Sequence, residues 1–132
     1  MIPRIKFQNK EQVPFVKELR KRVNGYFKEN KISRNANRHM IVKSISMFLI
    51  YLIPYVLVYT GILSGFWAFA LAITMGLGMA GIGMSVMHDA NHGAYSSNPK
   101  VNNLIGICIH LIGGDVYNWK VQHNILHHTY TN

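Results

Sequence analysis

Charged residues are absent from the middle of this chain of 132 residues. The segment 44–87 contains no Asp, Glu, Lys, Arg or His. Because a helix needs about 20 apolar residues to cross the hydrocarbon core of a bilayer, this segment is long enough for two crossings and a short turn. The absence of charge therefore predicts a membrane protein.

Cysteine and acidic residues are also scarce. Cys108 is the only cysteine, so an intrachain disulfide is excluded, which is consistent with a reducing compartment. We expect Cys108 to be a small, buried apolar residue. Five acidic residues stand against fourteen basic ones, which gives a formal net charge of +9 and indicates an anionic partner.

The positive charge is concentrated before the apolar segment. Residues 1–40 contain eleven of the Lys and Arg residues and three of the acidic residues. A basic region directly before a membrane span favours contact with membrane lipid, and the sequence has no signature of a nucleic-acid-binding fold. We therefore divide the chain into a basic cytoplasmic region, 1–40, and a membrane part, 41–132.

An amphipathic helix is predicted within the basic region, from about Lys10 to Asn30. Apolar side chains recur every four residues along one face, at Phe15, Leu19, Val23 and Phe27. Pro14 suits the first turn of a helix better than its interior, which places the start near Val13. The apolar face suits either lipid headgroups or the rest of the same protein, and the sequence leaves both open.

The uncharged segment predicts a transmembrane helical hairpin, with spans at about 42–60 and 66–87. The second helix is expected to continue into 88–92. The second span is rich in small residues, which let neighbouring helices approach closely. Because Lys and Arg favour the cytoplasmic side, we expect the N-terminus and the residues after the second span on that side. Residues 104–113 are apolar but too short for a simple crossing, which indicates an interfacial or re-entrant helix. The predicted fold class is an all-α, multi-pass membrane protein.

Histidines are grouped directly after the apolar segment. Five of the seven lie in two short clusters, which consist of His88, His92, His123, His127 and His128. Imidazole is the commonest protein ligand for transition metals, and ionisable groups at a membrane boundary are costly enough to indicate a function. The clusters therefore predict a metal site with these five side chains as ligands.

The spacing within each cluster suits shared ligation on a helix. Residues four apart lie on the same face of an α-helix, so His88 and His92 are expected to reach one metal, and His123 and His127 likewise. His128 is expected about 100° from His127 around the helix. That divergence suits two metal ions better than one.

Neighbouring polar side chains are candidates for orienting the ligands. Asp89 is the first candidate for a hydrogen bond to a ligating ring, and Asn118 and Asn124 are further candidates. His110 stands alone in an apolar segment and is expected to be structural. His39 lies in the basic region, where we expect it to be solvated or to face lipid.

The two clusters resemble the histidine boxes of the membrane fatty acid desaturases. The run from His88 to Gly93 is similar to the first box of that family, and Trp119 followed by 123–128 is similar to the second. The spacing within the boxes resembles the acyl-lipid and front-end branch, which is linoleoyl-CoA desaturase-like, more than the stearoyl-CoA branch. The resemblance extends from the basic helix to Asn132.

The resemblance implies an oxidoreductase with a di-iron centre, which uses dioxygen to introduce a double bond into an acyl chain. Side-chain acids and bases cannot break an aliphatic C–H bond, whereas a redox metal can. The resemblance further implies a fatty acyl substrate, carried as acyl-CoA or acyl-lipid, and an electron donor such as ferredoxin or cytochrome b5. Beyond the metal ligands, no catalytic residue is expected.

The third histidine box of the family has no counterpart in this sequence, and neither do its further membrane spans. Five imidazoles are too few for the two iron sites of the family. We therefore expect the chain to be the N-terminal fragment of a longer enzyme and to be inactive on its own.

Two alternatives remain open from the sequence. One is a related histidine-box enzyme, a membrane hydroxylase or ketolase, which would add oxygen to its substrate. The other is a small, non-enzymatic membrane protein that binds metal and is complete at 132 residues.

Overall fold

The structure is a computed structural model that describes residues 12–130. Every regular element within that range is helical, as the sequence predicts. The chain divides into two compact units, Met1–Arg34 and Asn35–Asn132.

The first unit contains helix α1, Gln12–Glu29. The helix includes Val13 and Pro14 and ends at Glu29, one residue before the predicted end at Asn30. Because residue 11 lies outside the described residues, the start near Val13 stays a prediction. The predicted outer limit, Lys10, lies outside the described residues. Almost all side chains described in α1 are exposed, so the described part of this unit gives the helix no buried face.

The second unit begins with two long apolar helices that pack against each other, α2 (Arg38–Tyr59) and α3 (Phe66–Gly81). Their close approach depends on glycine. A Cβ atom at Gly78 would lie 2.6 Å from the backbone nitrogen of Tyr51. A larger side chain would separate the helices, so the small residues have the packing role that the sequence predicts.

The second apolar helix is longer than α3 alone. It continues through a π-helical segment, Ile82–Val86, into α4, Met87–Asn91. The two stretches Arg38–Tyr59 and Phe66–Asn91 are both long and apolar enough to cross a membrane. The second stretch agrees with the predicted helix at 66–87 that continues into 88–92, and the first begins about one helical turn earlier than predicted.

Short helices make up the rest of the second unit. In chain order they are α5 (Pro99–Gly106), a 3₁₀ segment (Ile107–Ile112), α6 (Val116–Trp119), a π-helix (Lys120–His127) and α7 (His128–Tyr130). The apolar helix predicted at 104–113 is therefore the end of α5 followed by the 3₁₀ segment. That segment ends at Gly113, whose φ of 82° favours glycine.

A small core connects α2, the second apolar helix and the 3₁₀ segment. Ile82 is fully buried, and the other members are Tyr51, Met87, Cys108 and Ile109. The Tyr51 hydroxyl donates a hydrogen bond of 2.6 Å to the carbonyl of Leu111. Cys108 is buried, as expected, and burial raises the pKa of its thiol to about 11.

Candidate metal centre

The first histidine box lies on α4, directly after the π-helical segment. The N–H of His92 donates to the carbonyl of His88 at 3.0 Å, which is the bond of one α-helical turn. The two rings therefore lie on the same side of the helix, with their centroids 4.5 Å apart. The sequence predicts this arrangement for the pair.

The second box is helical, but its helix is not an α-helix. Lys120–His127 form a π-helix, and the N–H of His128 donates to the carbonyl of His123, five residues earlier. The expectation that His128 points about 100° away from His127 assumed α-helical winding. Within this wider turn both rings lie near that of His123, at centroid distances of 5.0 Å for His127 and 4.9 Å for His128.

The two boxes meet in space. His88 Nε2 lies 3.2 Å from His123 Nε2, and ring nitrogens of His88, His92 and His123 all lie within 4.8 Å of one another. The ring of His128 lies 5.0 Å from that of His92, and His127 adjoins His123. All five predicted ligands thus form one connected group of rings, which we call the imidazole cluster.

Two of the three polar candidates contact the boxes. Asp89 Oδ1 lies 3.2 Å from His88 Nδ1 and accepts a hydrogen bond when that nitrogen carries the proton. With the proton on Nδ1, the other ring nitrogen of His88, Nε2, is free of a proton and can bind a metal. This Nε2 atom faces His123. Asn124 Nδ2 donates to the carbonyl of Asn91 at 3.2 Å, which joins the second box to the first.

The third candidate, Asn118, lies apart from the cluster. Its side chain is exposed, and between residues 12 and 130 no hydrogen bond joins it to an imidazole. Its backbone N–H donates to Asp115 Oδ1 at 2.8 Å, which caps α6. His110 bonds through Nδ1 to the carbonyl of Gly114 at 2.9 Å, in keeping with a structural role, and His39 is exposed.

Two buried amides support the first box, and their partners could not be predicted from the sequence. Asn91 is buried, and its Nδ2 donates to the carbonyl of Gly106 at 3.2 Å. A Cβ atom at Gly106 would lie 2.5 Å from Asn91 Oδ1, so a larger residue there would displace the buried Asn91 amide. Asn102, which is also buried, makes two hydrogen bonds of 2.8 Å with the backbone of Ser96 in the loop after the box.

Trp119 belongs to the site, although the sequence did not mark it as an orienting residue. Its indole stacks on His123, with centroids 4.4 Å apart and planes inclined by 18°. It also makes edge contacts with His88 and His92, at 5.7 and 5.3 Å. One apolar ring thus restricts three imidazoles from both boxes. A signal was present, since Trp119 precedes His123 by four residues, the spacing found within each box.

Two imidazoles of the cluster, His92 and His123, have lowered pKa values. Burial is the largest cause that lowers the pKa of His92, followed by His88 and His128, whereas Asp89 acts in the opposite direction. Burial also comes first in lowering the pKa of His123, followed by the other four imidazoles. Because neutral imidazole is the form that binds metal, these shifts prepare both rings for ligation.

The residues present fit a transition metal. Two nitrogens that bind one ion at about 2.0–2.1 Å each are at most about 4.2 Å apart, and the Nε2 atoms of His88 and His123 meet this condition at 3.2 Å. Imidazole donors suit iron, zinc, copper or nickel better than magnesium or calcium. Asn124 Oδ1 is buried and has no hydrogen-bond partner in the described part of the chain. The second box therefore contains an acceptor oxygen that is available to a bound ligand.

A polar recess of about 420 Å³ adjoins the first box. His92 and Lys120 border it, and the other lining groups are amides, hydroxyls and small residues. No carboxylate is among the described residues that line it. The recess is therefore suited to an anionic or hydroxyl-rich group held directly beside the imidazole cluster.

Comparison with known proteins gives consistent matches. The family model for fatty acid desaturases matches residues 64–132. The chain is 39% identical over 126 residues to an sn-1 linoleoyl-lipid 6-desaturase of Arthrospira platensis, covering 92% of this chain and 33% of the relative. It is 33% identical over 141 residues to the enzyme of the same name from Synechocystis sp., covering 98% of this chain and 35% of the relative.

A third relative gives a similar match. Identity to an acyl-lipid (8-3)-desaturase of Physcomitrium patens is 32% over 128 residues, which covers 97% of this chain and 27% of the relative. The chain thus spans about a third of the length of these curated relatives. No solved structure matches it.

Proposed function

The chain belongs to the fatty acid desaturase family, and on that basis we propose that it serves in an acyl-lipid desaturase. Such an enzyme uses dioxygen to convert a single bond of an acyl chain into a double bond. The observation that carries the proposal is the meeting of two separate histidine boxes, with His88 Nε2 3.2 Å from His123 Nε2. The names of the relatives support a lipid-linked acyl substrate.

We propose that the imidazole cluster holds iron, as a di-iron centre, with His88, His92, His123, His127 and His128 as ligands. Bound iron supplies the oxidising power for breaking aliphatic C–H bonds, which side-chain acids and bases lack. Ring nitrogens of His88, His92 and His123 lie within 4.8 Å of one another, and the rings of His127 and His128 adjoin that of His123. The lowered pKa values of His92 and His123 favour their metal-binding form.

The remaining side chains of the site hold these ligands in place. Asp89 fixes the proton of His88 on Nδ1, which directs Nε2 toward the cluster. Asn124 ties the second box to the backbone of Asn91 in the first. Trp119 packs against three rings and excludes water from one side of the cluster. Ligand orientation by such neighbours commonly governs metal affinity.

The ligand set of this chain is incomplete for two iron sites of the family type. Because the chain spans about a third of its relatives' length, we propose that the missing ligands belong to the part of the relatives that it does not match. On this proposal the segment alone is inactive and contributes two of the three histidine boxes.

We propose that the two apolar helices, Arg38–Tyr59 and Phe66–Asn91, form a transmembrane hairpin. The basic residues before the first helix favour the cytoplasmic side. Two crossings return the chain to that side, so both histidine boxes and the N-terminus lie there. An electron donor such as ferredoxin or cytochrome b5 would then reach the cluster from the cytoplasm.

We propose that the polar recess is the binding site for the polar headgroup of the acyl substrate. It shares His92 with the imidazole cluster and places the ammonium group of Lys120 at its border. A single cation among amides suits a phosphate ester or another hydrogen-bonding headgroup. An acyl chain anchored there would present the carbons nearest its headgroup to the metal.

The test uses the complete gene that encodes this chain, expressed in a host whose lipids lack the product. Lipid analysis is expected to show a new double bond. An added hydroxyl or keto oxygen would instead identify a hydroxylase or ketolase. His127→Ala is expected to abolish the product without reducing membrane insertion, and Asn118→Ala, at an exposed site outside the cluster, is the matched control. Full activity of the His127 variant would contradict its role as a ligand.

A further inference from the structure

Helix α1 presents an apolar face that the described part of its unit does not cover. Phe15, Leu19 and Val23 are 68%, 48% and 44% exposed, and Tyr26 continues the face at 57%. At about 100° per residue these four side chains lie within an arc of about 80°. Removal of large apolar groups from water is favourable, so we expect lipid or protein to cover this face.

Charge on α1 identifies that occupant. The helix has five basic residues and two acidic ones. Arg22 lies about 20° beyond Phe15 at one edge of the face, and Arg20 lies about 60° beyond Val23 at the other. Their long side chains can extend along the face toward a phosphate layer. Both glutamates lie at the edge that Arg22 occupies, and Glu18 is paired with Arg22 at 2.9 Å. A face that combines apolar groups with flanking positive charge suits an anionic lipid surface.

We propose that α1 lies in the headgroup layer of an anionic leaflet, with Leu19 toward the acyl chains and Asn24 toward water. The proposal is independent of the metal centre and requires only that α2 enters the bilayer. Eight residues, 30–37, separate α1 from α2, which begins with Arg38. The positive charge thus continues to the point where the chain enters the membrane, and α1 stays within reach of the leaflet.

The test measures which faces of α1 are immersed in the full chain. Leu19→Cys and Asn24→Cys are spin-labelled separately, with the buried Cys108 retained and a chain without an added cysteine as the labelling blank. The chains are placed in nanodiscs of phosphatidylcholine, with or without phosphatidylglycerol. Accessibility of each label to oxygen, which enters the hydrocarbon, and to a water-soluble nickel complex is then recorded.

The expected result is face-specific and lipid-specific. In nanodiscs with phosphatidylglycerol the label at residue 19 is accessible to oxygen and protected from nickel, and the label at residue 24 shows the reverse. Omission of the anionic lipid or addition of salt lowers the immersed fraction at residue 19. A label at residue 19 that is shielded from both reagents would show packing against protein, and spin–spin broadening there would show a second copy. Either result overturns the proposal, as does equal immersion in neutral lipid.

A pair of charge variants separates specific placement from overall charge. Arg20→Gln and Lys21→Gln remove the same charge, but Arg20 flanks the apolar face whereas Lys21 points away from it. A positive charge near an anionic leaflet contributes about fivefold to partitioning. We expect Arg20→Gln to lower the immersed-to-exposed ratio of the label at residue 19 about fivefold, and Lys21→Gln to lower it clearly less. Equal effects would contradict the proposed orientation.

Discussion

The Asn124 side chain donates a hydrogen bond of 3.2 Å to the backbone carbonyl of Asn91. The two residues lie in different histidine boxes, 33 positions apart, and each is next to a histidine of the imidazole cluster. This bond is therefore the most direct polar link between the boxes outside the rings themselves. Its backbone acceptor cannot be removed by mutation, whereas its donor can.

Asn124→Asp tests this link, because it keeps the size of the side chain and replaces the donor amide with an acceptor. We expect the affinity of the chain for Co²⁺, a spectroscopic substitute for iron, to fall about tenfold, since partners that orient ligands commonly contribute this much. Titration followed by visible absorption measures the affinity. Asn118→Asp is the control with the same chemistry at an exposed position, and equal losses in both variants would contradict the proposed link.

Trp119 gives a second prediction about the cluster. Trp119→Ala removes the ring that contacts three imidazoles, and we expect it to weaken Co²⁺ binding and change the visible spectrum. Trp119→Phe keeps an apolar ring and is expected to restore most of the affinity. Trp67→Ala changes the other tryptophan, which is exposed on α3, and is expected to leave both measurements unchanged. Loss of binding in the Phe variant would argue for a polar role of the indole.

Gly106 tests how closely α5 packs against the first box. A Cβ atom there would lie 2.5 Å from Asn91 Oδ1, so Gly106→Ala is expected to destabilise the chain by about 1–3 kcal/mol. Gly76→Ala is the control, because nothing lies within 4 Å of its Cβ position. Thermal unfolding in detergent compares the two. An unchanged midpoint in the Gly106 variant would show that the close approach is absent in solution.

The pH dependence of stability follows from two histidines. The pKa values of His92 and His123 are lowered from 6.5 in the folded chain, mainly by burial. The unfolded chain therefore binds more protons as the pH falls through 6.5, and the metal-free chain is expected to lose stability below that pH. Unfolding at neutral and acidic pH measures the loss. The variant His92→Asn/His123→Asn is expected to show a smaller dependence, and an unchanged dependence would contradict the assignment.

Substitution of Lys120 tests the proposed binding site of the substrate headgroup. In the complete enzyme, Lys120→Met is expected to raise KM for an anionic acyl lipid several-fold while kcat changes little, because the side chain binds the headgroup and touches no reacting atom. Lys100→Met removes the same charge from an exposed position and serves as the control. A loss confined to kcat in the Lys120 variant would contradict a role in headgroup binding.

Much of this molecule could be predicted from local patterns. The uncharged segment predicted both long apolar helices, because helix length and apolar composition are properties of neighbouring residues. The spacing of His88 and His92 predicted their shared face, since α4 has ordinary α-helical winding. The winding of the second box could not be predicted in this way, because a π-helix has no signature in the spacing of side chains. The resemblance of the boxes to those of fatty acid desaturases also agreed with the family match.

The amino-acid sequence alone determined which chemical groups are available: five clustered imidazoles, two apolar helices and a basic, amphipathic helix before them. Only the tertiary structure decided which atoms meet. The contacts of Asn91 with Gly106, of Asn124 with the first box and of Trp119 with His88 and His92 join residues on separate helices. Their formation depends on how those helices pack, which is set by the whole second unit rather than by any short run of residues.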